Sequence, residues 1–107
     1  MVIIFNSILK VMKNPCAYIL TNQNRSKFYF GYTTDLKSQM IKHSKNQCQD
    51  NSWPKECKIL VYYEKYVSEN DALFRQEEMT KSSQFQIVKW IEKMNPTWKD
   101  LPKYWLT

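Results

Sequence analysis

The chain has 107 residues and a mass of 13.0 kDa, which is enough for one domain with a single modest core. Its hydrophobic content of 43% excludes an intrinsically disordered chain, and no segment approaches the ~20 apolar residues that a membrane-spanning helix needs. Sixteen Lys and Arg against ten Asp and Glu give a net charge of +6, which favours a polyanionic partner such as nucleic acid.

The N-terminal stretch VIIFNSIL is short, has no basic start and has no small-residue cleavage site after it. We therefore predict that residues 1–15 are an extension of the domain, which occupies residues 16–107. The three cysteines, Cys16, Cys48 and Cys57, have no paired spacing and indicate thiols in a reducing compartment, so we expect a cytoplasmic protein. Zinc binding by His43, Cys48 and Cys57 is a weaker interpretation, because a fourth ligand is missing.

Two strands open the domain. Residues Ala17 to Leu20 form a short apolar run, Thr21 to Lys27 is a polar turn, and Phe28 to Thr33 is aromatic and β-branched, which predicts a hairpin. Gly31 is the only glycine of the chain, so we expect it where the backbone needs a positive φ or a close approach.

A helix follows the hairpin. Thr34 offers an N-cap hydroxyl ahead of Asp35, whose charge suits a helix start. Leu36, Met40 and His43 then recur at helical spacing, with Gln39 on the same stripe. The polar stretch from Asn46 to Glu56 predicts a loop.

The second half predicts one strand and two helices. Lys58 to Val67 has a continuous apolar centre that indicates a strand buried on both faces. Ser68 caps the next helix, and Ser82 or Ser83 caps the last one, which Asn95-Pro96 ends. Ala72, Leu73, Gln76, Met79 and Thr80 share one face of the first of these helices. Phe85, Val88 and Ile91 are predicted to face inward on the other.

The tail carries Trp98, Tyr104 and Trp105, which we expect to fold back over the core. The order is therefore β-β-α-β-α-α. We predict an α/β (α+β) fold in which a small mixed three-stranded sheet is flanked by helices.

Polar side chains interrupt the apolar stripes at Gln39, His43 and Gln76. A single residue of this kind is more often a hydrogen-bonded boundary residue than a functional one. Three of them on two helices, beside Tyr18 and Tyr29 on the hairpin, favour a converging cluster.

At these residues the chain resembles the GIY-YIG nuclease family, in its small single-domain branch. Cys16-Ala17-Tyr18 stands for the first tripeptide of the family signature and Tyr29-Phe30-Gly31 for the second. The resemblance continues through Thr33-Thr34-Asp35-Leu36-Lys37, His43, Arg75 and Asn95-Pro96, and reaches Trp105.

The resemblance implies cleavage of nucleic-acid phosphodiesters with one divalent metal. It implies that Tyr29 helps to activate water, that Tyr18 assists near the attacked phosphate, and that His43 belongs to the same site. The family arginine that stabilises the phosphate falls on Gln39, and the glutamate that holds the metal falls on Gln76.

Both replacements remove a charge on which the chemistry depends. Gln39 offers neither a positive charge nor a bidentate fork, and an arginine that stabilises a phosphoryl-transfer transition state is worth roughly 10³ to 10⁵ in rate. Gln76 lacks the charge that binds a hard divalent ion. We therefore expect a pseudo-enzyme that binds nucleic acid with little or no cleavage and has no metal cofactor.

Two alternatives stay open. One is an active endonuclease with a rearranged site that uses Mg²⁺ or Mn²⁺, and the other is a protein-interaction domain. Lys37, Lys42 and Lys45 project from the first helix beside the predicted cleft, and we expect them to contact phosphates of nucleic acid, DNA being the first choice. An ordinary solvated helix face explains the same lysines if the partner is a protein.

Overall fold

The computed structural model of the protein describes residues 14–45 and 54–102. Within these ranges it has three strands and three helices in the predicted order. The strands are β1 (Cys16–Thr21), β2 (Phe28–Thr33) and β3 (Ile59–Lys65), and the helices are α1 (Leu36–Ser44), α2 (Glu69–Lys81) and α3 (Gln84–Met94). No helix in the described part of the chain is long and apolar enough to cross a membrane.

The sheet is antiparallel throughout, and the prediction of a mixed sheet is wrong in this respect. Its strand order is β2-β1-β3, and β1 pairs antiparallel with both neighbours. β2 and β3 do run in the same direction, as strands joined by a helical crossover should. They are not neighbours, because α1 carries the chain past β1 to the opposite edge. The predicted β1–β2 hairpin is confirmed.

A register shift in the β1–β3 pairing sets which β3 side chains face which side. Leu20 pairs with Leu60 and Ile19 with Tyr62, so Val61 is the additional residue of a bulge. Val61 and Tyr62 both pack in the cluster that contains Ile19, whereas Leu60 packs on the other face. The predicted burial of this strand on both faces is therefore confirmed.

The central strand divides the core into two layers. Every residue of β1 is buried, because helices cover both faces of the sheet. The layer under α1 contains Cys16, Tyr18, Leu20, Leu36, Met40, Cys57 and Leu60. The layer under α2 and α3 contains Ala17, Ile19, Val61, Tyr62, Met79, Ile87, Ile91 and Trp98.

Asp35, not Thr34, is the N-cap of α1. The Asp35 side chain accepts from the Ser38 amide at 3.2 Å, and the Thr33 hydroxyl accepts from the Asp35 amide at 3.1 Å. A carboxylate satisfies the amide ends of a helix at least as well as a hydroxyl, so the cap falls one residue later than predicted. The predicted caps at Ser68 and Ser83 are confirmed.

The prediction that Phe85 faces inward is wrong, because its side chain is 70% exposed. Ile87 and Ile91, spaced one helical turn apart, are the buried residues of α3 and set its orientation. Phe85 lies two positions before Ile87, about 200° around the helix. There Lys89 Nζ lies 4.5 Å from the centroid of its ring.

The segment after α3 covers the outer edge of β3. Leu101 donates its amide to the Leu60 carbonyl at 3.0 Å, and Asn95 donates to the Val61 carbonyl at 3.0 Å. Trp98 is buried, which confirms its predicted return to the core. The predictions for Tyr104, Trp105, Cys48 and most of the N-terminal extension fall outside the described residues, so the domain boundary at residue 16 stays a prediction.

Candidate functional site

Tyr18, Tyr29 and His43 come together under α1, and we call them the tyrosine–histidine cluster. The Tyr18 hydroxyl lies 3.0 Å from His43 Nε2. The ring centroids of Tyr18 and Tyr29 lie 5.9 Å and 5.7 Å from that of His43, each in an edge-to-face arrangement. One residue from each of β1, β2 and α1 therefore meets at a single point, as the sequence indicated.

Gly31 makes room for this arrangement. It pairs with Tyr18 across the hairpin, and a Cβ atom added at Gly31 would lie 2.4 Å from Tyr18 Cζ and 2.5 Å from its hydroxyl oxygen. The backbone of Gly31 has no positive φ. Of the two reasons predicted for this glycine, the structure therefore selects the close approach.

His43 is a neutral imidazole in this environment. Its side chain is 2% exposed, and burial lowers its pKa from 6.5 to about 4. The imidazole therefore carries no charge near neutral pH, which makes it a hydrogen-bonding partner for the Tyr18 hydroxyl rather than a cation for phosphate.

Gln39 borders the cluster from the same helix, one turn before His43. Its side-chain nitrogen lies 3.5 Å from His43 Nε2, and the residue is half-buried. The position where the resemblance implies an arginine thus holds a neutral amide directed at a neutral imidazole.

Gln76 forms its contacts with β2 and with its own helix, α2. Its side-chain nitrogen donates to the Phe30 carbonyl at 3.1 Å and lies 3.5 Å from the Thr80 hydroxyl. Phe30 is the strand neighbour of Tyr29, so the amide joins α2 to β2 beside the cluster without a hydrogen bond to its side chains. Gln39 therefore contacts the cluster directly, whereas Gln76 contacts the backbone of Phe30, the residue next to Tyr29 on β2.

These residues do not fit the divalent metal that the resemblance implies. The amide of Gln76 presents N–H to a carbonyl oxygen where a metal site would present an anionic oxygen to a cation. Its neighbours Glu77 and Glu78 are exposed, and Glu78 lies 3.6 Å from Arg75. Within residues 14–45 and 54–102, no three His, Cys, Asp or Glu side chains are grouped together.

The three lysines of α1 are all exposed, but they do not share one side of the helix. At 100° per residue, Lys42 lies about 60° from Gln39, whereas Lys45 lies about 120° and Lys37 about 160° away. Lys42 therefore flanks the cluster directly. Lys37 lies on the far side of α1.

A half-buried ion pair on the opposite face of the sheet escaped the sequence analysis. Glu64 accepts from Arg75 Nε at 3.0 Å and from Arg75 Nη2 at 3.1 Å, and also from the hydroxyls of Tyr62 and Tyr66. Burial acts to raise the pKa of Glu64, but these four donors outweigh it and hold that pKa below its usual value. The guanidinium of Arg75 lies 4.3 Å from the centroid of the Trp90 ring.

The alternation Tyr62-x-Glu64-x-Tyr66 was the available sign of this network, because residues two apart on a strand share a face. The network lies in the layer under α2 and α3, away from the tyrosine–histidine cluster. Its bidentate geometry and its ring contact indicate a structural link between β3, α2 and α3.

Comparisons with known proteins agree with this fold. A family model described as the GIY-YIG catalytic domain matches residues 14–86, more than half of the chain. The solution NMR structure of a UPF0213 protein from Bacillus halodurans is similar, with a TM-score of 0.52 and 21% sequence identity over 84% of this chain and 95% of that chain. At this identity the likeness concerns the fold. The search of curated proteins finds no match.

Proposed function

Because this chain belongs to the GIY-YIG catalytic domain family, we propose that it binds nucleic acid and cleaves phosphodiester bonds little or not at all. The proposal keeps the family's class of partner and departs from its chemistry. The observation that carries it is the pair of neutral amides, Gln39 and Gln76, with the contacts they make.

Gln39 supports the loss of transition-state stabilisation. Phosphoryl transfer develops negative charge on the equatorial oxygens, and fixed cations meet that charge in efficient enzymes. Here the amide of Gln39 and the imidazole of His43 are both neutral near neutral pH. Lys42 is the nearest lysine of α1 around the helix, but it is exposed and therefore strongly solvated.

Gln76 supports the loss of the metal. Its N–H group is engaged with the Phe30 carbonyl, which ties α2 to β2. A glutamate at this position would lose that donor and bring its carboxylate towards a carbonyl oxygen. The amide of Gln76 therefore links α2 to β2. A carboxylate cannot form this link to the Phe30 carbonyl unless a cation lies between the two oxygens.

The binding of nucleic acid is supported by the family residues that this chain keeps and by its positive charge. The two tyrosines and His43 keep a formed cluster, and the net charge of +6 includes three exposed lysines on the helix that covers it. Positive charge on an accessible helix attracts phosphates through counterion release, without any catalytic requirement.

A plasmid-nicking assay tests the proposal. The unaltered protein should not convert supercoiled plasmid to nicked circles with Mg²⁺ or Mn²⁺ above a buffer blank. The double variant Gln39→Arg with Gln76→Glu should gain metal-dependent nicking that a chelator abolishes, because it restores both charges. Gln76→Glu should also cost about 1–3 kcal/mol of stability through the lost bond to Phe30, so folding of the variant is checked by circular dichroism.

The matched control places the same charges elsewhere. Gln84→Arg with Gln86→Glu adds one cation and one anion on α3, and it should leave the protein inactive. Robust chelator-sensitive cutting by the unaltered protein would contradict the proposal and favour an active endonuclease with a rearranged site. Failure to bind any DNA or RNA at low salt would favour the protein-interaction alternative.

A further inference from the structure

A cavity lies on the side of α1 away from Gln39. Its volume is about 170 Å³. It lies between α1, the start of β3 and the segment that follows α3, and its lining is Lys37, Met40, Ile41, Ser44, Lys58, Asp100 and Pro102. Since Lys37 lies about 160° from Gln39 around the helix, this cavity and the tyrosine–histidine cluster flank α1 on its two sides.

The lining combines an apolar surface with two exposed lysines. Ile41 is 43% exposed although it is a large hydrophobic residue, and Met40 and Pro102 continue its surface. Lys37 and Lys58 are exposed, and neither forms an ion pair with an acidic residue in the described part of the chain. The acidic residue of the lining, Asp100, accepts the Leu60 amide with its Oδ1 at 3.3 Å.

The chemistry and the size of the cavity limit its occupant. Apolar side chains flanked by two lysines suit a flat, weakly polar group attached to an anion. Sites for whole drug-sized ligands have volumes of roughly 300–1,000 Å³, so a cavity of about 170 Å³ accepts one ring system while the rest of the ligand stays outside. A nucleotide within a strand has this form, with a base to insert and phosphates on either side of it.

We propose that this cavity binds the base of one unpaired nucleotide, while Lys37 and Lys58 contact the adjoining phosphates. The inference rests on the proposed function, since it requires nucleic acid as the partner. A strand bound in this way passes beside α1 and can reach Lys42 and the tyrosine–histidine cluster on the other side. The cavity would then give the protein a preference for nucleic acid with an unpaired base over a regular duplex.

Fluorescence anisotropy with three labelled DNA duplexes tests the preference. The first is fully paired, the second has one bulged adenosine, and the third has an abasic site in place of that bulge. The bulged duplex should bind about tenfold more tightly than the paired one, which corresponds to about 1.4 kcal/mol. The abasic duplex should lose that advantage, because it keeps the distorted backbone but has no base to insert.

Variants locate the effect. Ile41→Ser should bring the bulged and abasic duplexes to equal affinity. Because Ile41 is exposed, this variant should still fold. Lys37→Ala with Lys58→Ala should weaken binding of the bulged duplex most. Lys81→Ala with Lys89→Ala removes the same charge from the opposite face of the sheet and should preserve the preference. In methyl NMR spectra, the Ile41 methyl groups should shift with the bulged duplex and not with the abasic one.

The outcomes separate this inference from the proposed function. Equal binding of all three duplexes, or a bulge preference that survives Ile41→Ser, would overturn the cavity assignment and leave nucleic-acid binding intact. A shift of the Ile41 methyl groups by adenosine monophosphate as strong as that by the bulged duplex would overturn the strand as the occupant. No binding to any duplex or single strand at low salt would overturn both proposals.

Discussion

At the scale of single residues, Gly31 controls the position of the Tyr18 hydroxyl. The two residues are direct partners across the hairpin, and the Tyr18 ring occupies the volume that any other side chain at position 31 would need. The hydroxyl then reaches His43 Nε2 from a ring that is almost completely buried. The lack of a side chain at Gly31 on β2 therefore makes room for the hydrogen bond between Tyr18 on β1 and His43 on α1.

Gly31→Ala should destabilise the protein by about 1–3 kcal/mol, because a Cβ at 2.4 Å from Tyr18 Cζ forces the ring or the strand to shift. Urea denaturation measures the loss. In a Tyr18→Leu background the same substitution should cost much less, since leucine has no atom at the clashing position. An equal cost in both backgrounds would show that the ring contact is not the cause.

The buried imidazole of His43 makes stability depend on pH. Its pKa is lowered from 6.5 to about 4 in the folded protein, so the unfolded chain binds a proton at a higher pH than the folded one does. Stability from this group is therefore complete above about pH 6.5 and falls as the pH is lowered towards about pH 4. The total loss is up to about 3 kcal/mol.

Urea denaturation from about pH 7 to about pH 4.5 checks this expectation, because the lowered pKa of Glu64 keeps that carboxylate charged over most of this window. His43→Gln keeps a hydrogen-bonding group near Tyr18 but does not titrate, so its stability should vary less across the same range. NMR titration of the ring protons gives the pKa directly. A value near that of an exposed histidine would contradict the buried neutral state.

At the scale of elements, the pair Glu64–Arg75 joins β3 to α2 and, through Trp90, to α3. Both side chains are about four-fifths buried, at 23% and 19% exposure, and the contact is bidentate. Arg75 also lies 3.6 Å from Glu78, whose side chain is 48% exposed. One arginine thus has a shielded partner and a solvated one, which allows a matched comparison.

Glu64→Gln should destabilise the protein by about 1.5–3 kcal/mol, because it leaves a guanidinium that is about four-fifths buried without its shielded counter-charge. Glu78→Ala should cost less than about 1 kcal/mol, as expected for an exposed pair. Thermal or urea denaturation of the two variants under the same conditions makes the comparison. Equal costs would show that burial does not strengthen the link between β3 and α2.

At the scale of the whole molecule, the sheet separates two sets of lysines. Lys37, Lys42 and Lys45 are on α1, whereas Lys81, Lys89 and Lys93 are on the helices that cover the opposite face. If nucleic acid binds on the α1 side, charge on that side alone contacts phosphates. The net charge of +6 then matters less than its distribution.

Replacing the three α1 lysines by alanine should weaken binding to all DNA sequences alike, because phosphate contacts carry no sequence information. The slope of log affinity against log salt should fall by up to about 2.7, at about 0.9 for each lost phosphate contact. The matched variant with alanine at Lys81, Lys89 and Lys93 has the same net charge and should keep both affinity and slope. Equal effects of the two variants would show that only net charge matters.

Local patterns were sufficient for much of the fold. The hairpin, α1 and the order of elements followed from strand composition, the stripe of Leu36, Met40 and His43, and serine caps. A pattern within one helix fails where the packing of that helix against the sheet decides which of its faces is buried. Phe85 fits an inward position on α3, but burial of Ile87 and Ile91 against the sheet turns it to solvent.

The sequence by itself determined the residue types of the site, Tyr18, Tyr29, His43 and the two glutamines, because their spacing along strands and helices is a local property. Only the tertiary structure decided which of them meet. The position of β1 between β2 and β3 brings Tyr18 to His43, and the packing of α2 directs Gln76 to the Phe30 carbonyl. These contacts join residues distant in the chain, and their distances depend on how whole helices pack on the sheet, which no local pattern specifies.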